Sequence, residues 1–251
     1  MLVAGFDAGQ TSTRCRVCRW QEDGWQIIGE GSGPGVSHLE ASGGAERFRQ
    51  AVLTSLKSAS EGEGERRLDA AVIGASGIEQ SSALQPRATA LLADALSLPE
   101  DRVLATGDER TALRGAFPEG DGIILISGTG MICLGRDHQG KEHRCGGWGW
   151  MLDGAGSAFD LGHQGLQLTL QMADGRRPDH PLRQRMWEQL GCRGHAAVKA
   201  WVVQPSRTAA DLAALAPLLV AAADAGLPAA QDILQRSAAA LVSCAATVAR
   251  E

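Results

Sequence analysis

The chain has no run of Lys and Arg and no apolar stretch that approaches the length needed to cross a bilayer. It also lacks a charged N-terminal region followed by a cleavable apolar core. The first absence argues against nucleic acid, whose phosphates need clustered cations. Here 24 Lys and Arg stand against 29 Asp and Glu, for a formal net charge of -5. The other two argue against membrane insertion and export and make the cytoplasm the expected location. A second C-x-x-C is missing too. Cys15 and Cys18 form the first, but Thr13 to Trp20 alternates like a strand, and residues three apart on a strand point to opposite faces, which is poor geometry for a zinc site or a redox pair. The six cysteines therefore read as free thiols. Cys133 and Cys145 flank a hairpin turn, Asp137 to Gly140, and are expected to face each other as small apolar groups, with His143 nearby.

Two glycine-rich turns are present, each after an apolar strand-like run. Asp7-Ala-Gly-Gln-Thr-Ser-Thr13 follows Leu2 to Phe6, and Ser127-Gly-Thr-Gly130 follows Gly122 to Ile126. Glycine lets the backbone turn sharply and lets amide N–H groups approach an anion with no Cβ in the way. Thr11, Ser12, Thr13 and Thr129 add hydroxyl donors, and Asp7 ends its strand where a carboxylate can hold a magnesium ion through water. One such turn is ordinary hairpin chemistry. Two copies at corresponding places point to an ATP-dependent phosphotransferase.

Strand signals run over Leu2 to Asp7, Thr13 to Trp20 and Gly24 to Gly29, followed by a glycine-rich loop, Gly29 to Gly44, and an amphipathic helix, Ala45 to Ser58. A charged, flexible connection, Ser60 to Glu65, leads to a strand at Leu68 to Gly74, a helix at about Ser82 to Leu96 and a strand at Arg102 to Thr106. The three-strand meander then restarts at Gly122 to Ser127, Met131 to Arg136 and Lys141 to Arg144, with helix-rich sequence from about Leu152. The last stretch, Thr208 to Glu251, reads as helical throughout apart from a break at Gly226-Leu-Pro228. A repeated meander implies two related α/β domains, residues 1–117 and 118–251, with one continuous domain as the alternative.

In order and spacing, Gly5-Phe-Asp-Ala-Gly-Gln-Thr-Ser-Thr13, Thr106-Gly-Asp-Glu-Arg-Thr-Ala-Leu113, Ile124-Leu-Ile-Ser-Gly-Thr-Gly130, Cys145-Gly-Gly-Trp-Gly149 and Gly156-Ser157 resemble the N-acetylglucosamine kinases. These belong to the BadF/BadG/BcrA/BcrD ATPase group of the actin, hexokinase and Hsp70-like superfamily. The resemblance covers essentially the whole chain. It implies an α/β fold of two ribonuclease H-like domains with mixed sheets and a cleft between them, closing over ATP, magnesium and an amino sugar. On that basis Asp7 matches the magnesium-orienting aspartate, and Gly9, Gln10, Thr11, Ser12, Gly128, Thr129 and Gly130 match the phosphate loops. Asp108 matches the base that takes the proton of the attacking sugar hydroxyl; its alternative is a helix N-cap. Sugar contacts fall to Ser37, His38, Ser76, Gly147, Trp148 and Asp153, with Trp148 stacking on a pyranose or, alternatively, filling a core.

This chain departs from its relatives in four places. Asp153-Gly-Ala-Gly-Ser157 stands where they carry Gly-Asp-Glu-Gly-Ser, Met131 follows the second Gly-Thr-Gly, and Ser37 replaces a loop asparagine. Relatives also continue past the last helix into a strand and a Gly-Gly turn beside the adenosine, where this chain ends Ala249-Arg-Glu251. The expected partners are the sugar and ATP, with no nucleic acid and no membrane, and a homodimer is allowed. Two other functions stay open. One is a nucleotide or sugar sensor without turnover. The other is an ATPase activator sharing an iron–sulfur cluster between subunits, for which the placement of Cys15, Cys18, Cys133 and Cys145 is unfavourable.

Overall fold

In the computed structural model, which describes residues 1–60, 67–78 and 83–251, every second residue of strand β1 (Leu2–Ala8) is buried from Ala4 onward. Ala4, Phe6 and Ala8 point into a core, while Gly5 and Asp7 point the other way, as strand alternation requires. β1 pairs antiparallel with β2 (Ser12–Gln21), which pairs with β3 (Gly24–Pro34), and parallel with β4 (Ala70–Ala75), which pairs with β5 (Val103–Thr106). The mixed sheet runs β3-β2-β1-β4-β5. Helices α1 (Gly44–Ala59) and α2 (Leu84–Leu96) bring Phe48, Ala51, Val52, Ala88 and Leu92 onto Phe6, Ile73 and Ala105 of the sheet. Each large side chain so buried contributes roughly 1.5–3 kcal/mol. A shorter helix, α3 (Asp108–Ala116), lies against β1 and β4. These elements make up one compact unit, Met1–Glu119.

β3 continues five residues into the segment expected to be a loop. Its glycines are there for a close approach. A Cβ on Gly29 would stand 2.0 Å from the Ala59 carbonyl oxygen, one on Gly31 would stand 2.2 Å from the Ala59 nitrogen, and one on Gly33 would stand 2.9 Å from the Ser55 nitrogen. Glycine at every second residue clears one face of the strand, and α1 seats directly on the exposed backbone. Most of the charged connection expected at Ser60 to Glu65, and the first residue of the helix expected from Ser82, lie outside the described residues.

The second unit, Gly120–Glu251, opens with β6 (Gly122–Ser127), β7 (Met131–Arg136) and β8 (Glu142–Gly146) in the order β6-β7-β8. Both pairings are antiparallel, so among the described residues this sheet is not mixed, contrary to expectation. After β8 the chain turns wholly to helices: α4 (Ala158–Ala173), α5 (Pro181–Gln189), α6 (His195–Val202), α7 (Ala209–Ala213), α8 (Ala216–Asp224) and α9 (Pro228–Val248). Among the described residues after β8 no strand pairs beside β6. Helix begins at Ala158 and not near Leu152, because Gly156 takes a left-handed φ of 90° and Ser157 caps the helix that follows it. The C-terminal stretch breaks at Ala214 and Leu215 as well as before Pro228. Leu166, Met186, Leu215 and Leu219 form the helical core, and α9 also lies along the three strands.

All six cysteines are free thiols. Cys133 and Cys145 are direct cross-strand partners, and Cys244 of α9 hydrogen-bonds to Cys145. Burial pushes the Cys15 thiol up to about 12 and the Cys244 thiol up to about 11. Among the described residues no three His, Cys, Asp or Glu side chains converge to hold a metal, and no single helix is long and apolar enough to cross a membrane.

Candidate active site

The register of the first sheet places the carboxylates. Asp7 is the parallel partner of Gly74 on β4, and a Cβ on Gly74 would stand 2.2 Å from Thr111 Oγ1 on α3. Gly74 therefore lets α3 settle onto the sheet beside Asp7. Thr111 donates a hydrogen bond to the Asp108 carbonyl at 2.8 Å and fixes the first turn of α3. Asp7, Asp108 and Thr111 line one open trough of about 1180 Å³, together with Arg14, Arg16 and Val72.

Asp108 is the first residue of α3, and the N-cap position belongs to Gly107, so the capping alternative does not describe it. Its Oδ1 accepts from the Glu109 N–H at 3.1 Å. Burial raises the Asp108 carboxyl above its ordinary range and the charge of Asp7 adds to that, while hydrogen bonds from the side chain and N–H of Glu109 act in the opposite direction. Glu109 is itself buried, and burial pushes it up to about 7 against the pull of the Arg110 guanidinium, whose Nη1 lies 2.7 Å from Oε1. Glu109 is buried and Asp108 half-buried. Asp7, exposed on the trough at the end of β1, is the carboxylate that fits a hydrated divalent cation.

The first glycine turn is braced from behind. Gly9 N–H donates to the Ser12 carbonyl at 3.0 Å, and Val36 N–H donates to the Gly9 carbonyl at 3.0 Å. A Cβ on Gly35 would stand 2.1 Å from the Gln10 carbonyl oxygen. Gln10, Thr11 and Ser12 are exposed. Ser76 sits at the end of β4, where its N–H donates to the Ala8 carbonyl at 3.0 Å. The His38 ring lies 3.3 Å from where a Cβ of Gly77, the residue after Ser76, would be. Ser37 Oγ accepts from Arg47 Nε at 2.7 Å, which turns that hydroxyl toward α1.

The second turn has a different support. Gly128 N–H donates to the Gly130 carbonyl, and Ala158 N–H, at the start of α4, donates to the Gly128 carbonyl, both at 2.8 Å. Ser127 Oγ donates to the Gly156 carbonyl at 2.7 Å. The turn is thus fastened to a helix N-terminus capped by Ser157, an environment that favours an anion. Beyond β8, Gly146 and Gly147 take left-handed φ angles of 76 and 78°, and their carbonyls accept from Arg144 Nε at 3.0 Å and Nη2 at 2.6 Å. The same guanidinium lies 4.8 Å from the Trp148 ring centre. Trp148 is 64% exposed, which removes the core alternative. Asp153 N–H donates to the Gly149 carbonyl at 2.9 Å, closing this loop on itself.

The structure brings Asp7 and Asp108 together, and His38 against Gly77 beside Ser76 in sequence, in the first unit; in the second it gathers Gly147, Trp148 and Asp153 into one loop. Sequence reasoning missed Glu109, Thr111, Gly74 and Arg144. The Asp-Glu pair at the start of α3 was visible, but acids in a first helical turn are commonplace and drew no separate attention. Arg144 stands four residues before Trp148, a spacing that predicts contact on a helix but not on a strand and the glycine turn after it.

A sheet of this order with a carboxylate at the end of its first strand, followed by a second meander that bears a glycine turn, defines the actin-like ATPase fold of the sugar kinases. The chain belongs to the BadF/BadG/BcrA/BcrD ATPase family, whose model matches residues 4–251. It is 31% identical over 114 residues to an N-acetylmuramic acid/N-acetylglucosamine kinase of Clostridium acetobutylicum, a match covering 45% of this chain and 37% of that one. It is 32% identical over 106 residues to an N-acetyl-D-glucosamine kinase of Dictyostelium discoideum, covering 42% and 33%. These matches span about a third of each relative's length. A solved structure from Chromobacterium violaceum, provisionally named an N-acetylglucosamine kinase, superposes with a TM-score of 0.80 at 29% identity over 97% of this chain and 81% of that one.

Proposed function

We propose that the protein transfers the γ-phosphoryl group of ATP to a hydroxyl of an amino sugar of the N-acetylglucosamine type. The observation that carries this reading is the placement of Asp108 at the first position of α3, in one trough with Asp7. Phosphoryl transfer asks the protein chiefly for positioning, for neutralisation of phosphate charge and for one acceptor of the nucleophile's proton. Asp108 is that acceptor. As the sugar oxygen bonds to the γ-phosphorus and the bond from phosphorus to ADP breaks, the hydroxyl proton passes to the Asp108 carboxylate. The amides and hydroxyls of Gly9, Gln10, Thr11 and Ser12, and those of Gly128, Thr129 and Gly130, hold phosphate oxygens.

Asp7 is the residue that would hold magnesium through water, and the ion would offset the charge of the triphosphate. The exposed Trp148 ring, kept in place by Arg144, presents an apolar face to a pyranose. Ser37, His38, Ser76, Gly147 and Asp153 supply polar contacts to the sugar. The names of the two kinase relatives support the substrate class, and the family supports ATP. The residues 1–117 and 118–251 act as two domains of one enzyme, in the cytoplasm, with the sugar and ATP as partners.

The test is a coupled assay of ADP release with magnesium-ATP against hexoses, amino sugars and their N-acetyl forms, run beside Asp108→Asn. Release that depends on an amino sugar and vanishes in the variant is the expected result. Full activity in Asp108→Asn would remove Asp108 from the chemistry, and silence across the panel would overturn the kinase reading.

A further inference from the structure

A buried glutamate touches the proposed base and has been given no part in the reaction. Glu109 is 8% exposed, and its two carboxyl oxygens lie where a Cβ on Gly107 would be, 2.2 Å from that position. The group is therefore folded back over the bare Cα of the residue that caps α3. Arg110 Nη1 donates to Oε1 at 2.7 Å from one side, and the Asp108 carboxylate is its hydrogen-bond partner on the other. A buried carboxyl in this setting is costly unless each of its polar atoms has a defined partner.

We propose that Glu109 is the positioning residue for Asp108: clamped between the Arg110 guanidinium and Gly107, its carboxyl O–H donates to the Asp108 carboxylate and holds it in the orientation that receives the sugar proton. The proposal rests on the reading of Asp108 as the base. Two neighbouring carboxyls serve different roles when one keeps its proton and the other gives it up. Burial raises both carboxyls, Glu109 to about 7, and the hydrogen bond between them acts to raise Glu109 and to lower Asp108. The charged groups facing Glu109 are Asp108 and Arg110 of its own helix and, beyond Asp108, Asp7 of β1. β4, the other strand against α3, carries no titratable side chain. During transfer the sugar proton goes to Asp108, and Glu109 retains its own.

Above about pH 7 Glu109 loses its proton, the donor disappears, and a second negative charge faces Asp108. The wild type should then lose kcat/KM for the sugar on the alkaline side. Glu109→Gln keeps a donor toward Asp108 and an acceptor toward Arg110 without titrating, so it should hold its neutral-pH rate and lack the alkaline fall. Glu109→Ala should lose about tenfold or more in kcat with the sugar KM moved less than about threefold, as a misplaced base does. Gly107→Ala tests the same clamp from outside. Its φ of -65 and ψ of 146 are open to alanine, and its Cβ would displace the Glu109 carboxyl, so it should copy Glu109→Ala.

These pH profiles, measured beside Asp108→Asn, separate the two readings. If Asp108→Asn is inactive while Glu109→Ala keeps the wild-type kcat and pH profile, the positioning role is overturned and the kinase reading stands. If the wild type phosphorylates no sugar, the kinase reading fails, and a carbon-13 titration of the Asp108 carboxyl decides for Glu109. A midpoint that rises in Glu109→Ala supports the contact, and one that stays put overturns it.

Discussion

The two glycine turns are copies in sequence, but they are held differently. The first closes β1 onto β2 in a five-stranded mixed sheet and is backed by Gly35 and Val36, the continuation of a strand cleared of side chains on the α1 face. Next to it stand carboxylates: Asp7 on the strand, then Asp108 and Glu109 at the mouth of α3. The second turn closes β6 onto β7 in an antiparallel three-stranded sheet and is fastened to the start of α4 through Ser127, Gly156 and Ala158. Its strand ends in Ile126-Ser127 where the first ends in Asp7-Ala8, and the nearby charged side chain that organises the following loop is a cation, Arg144. The two turns thus stand in different surroundings, one beside carboxylates and the other beside helix amides, a guanidinium and an exposed indole.

That contrast can be broken most severely at Asp108. Asp108→Asn is expected to lower sugar-dependent ADP release by about a hundredfold or more, whereas removing hydroxyls around the second turn should act mainly on the KM for ATP. A variant series in which both turns affected kcat alike would erase the division. Gly31→Ala should come next. Its Cβ would meet the α1 backbone at Ala59 and Ser55, so chemical denaturation should report a loss of about 1–3 kcal/mol assigned to the first unit by its amide exchange. Unchanged exchange there would mean that α1 yields more easily than its packing implies.

Smaller effects sharpen the comparison further. Trp148→Ala should leave stability within about 0.5 kcal/mol, since the ring is mostly solvated, yet raise the sugar KM about tenfold. An unchanged KM would take Trp148 out of the sugar site. The mildest expected effect is a pH slope confined to the first unit. Glu109 is higher in the folded chain, at about 7, than its ordinary 4.5. The native state therefore holds that proton more tightly than the unfolded one, and the stabilisation is complete below about pH 4.5 and lost as the pH rises through about 7. Melting temperatures of the wild type should fall across that window relative to Glu109→Gln, and parallel curves would argue against a protonated Glu109.

Much of the scaffold was legible because alternation and turn chemistry are local. Ala4, Phe6 and Ala8 against Gly5 and Asp7 define β1, and the Cys133–Cys145 pairing followed from hairpin symmetry. The failures share a cause. Gly29, Gly31 and Gly33 read as a loop because glycine is most often needed for backbone freedom; here it is needed for proximity to a helix that sequence alone does not place. Thr208 to Glu251 read as helix with one break because the apolar Ala- and Leu-rich pattern runs on through Pro217, which in the structure stands in the first turn of α8 just after the chain turns at Ala214. Likewise, Glu109 drew no notice because its burial depends on Gly107 and Arg110 folding around it, and an acid in a first turn is expected to face water.

The bare face of β3 also limits how the protein can vary. At Gly29, Gly31 and Gly33 every alternative residue adds at least a Cβ against the α1 backbone, whereas the intervening Glu30 and Ser32 are exposed and free to change. A saturation mutational scan should therefore return an alternating barcode along this strand, intolerant and tolerant by turns. Its dark bars would trace the footprint of a helix without any structural measurement.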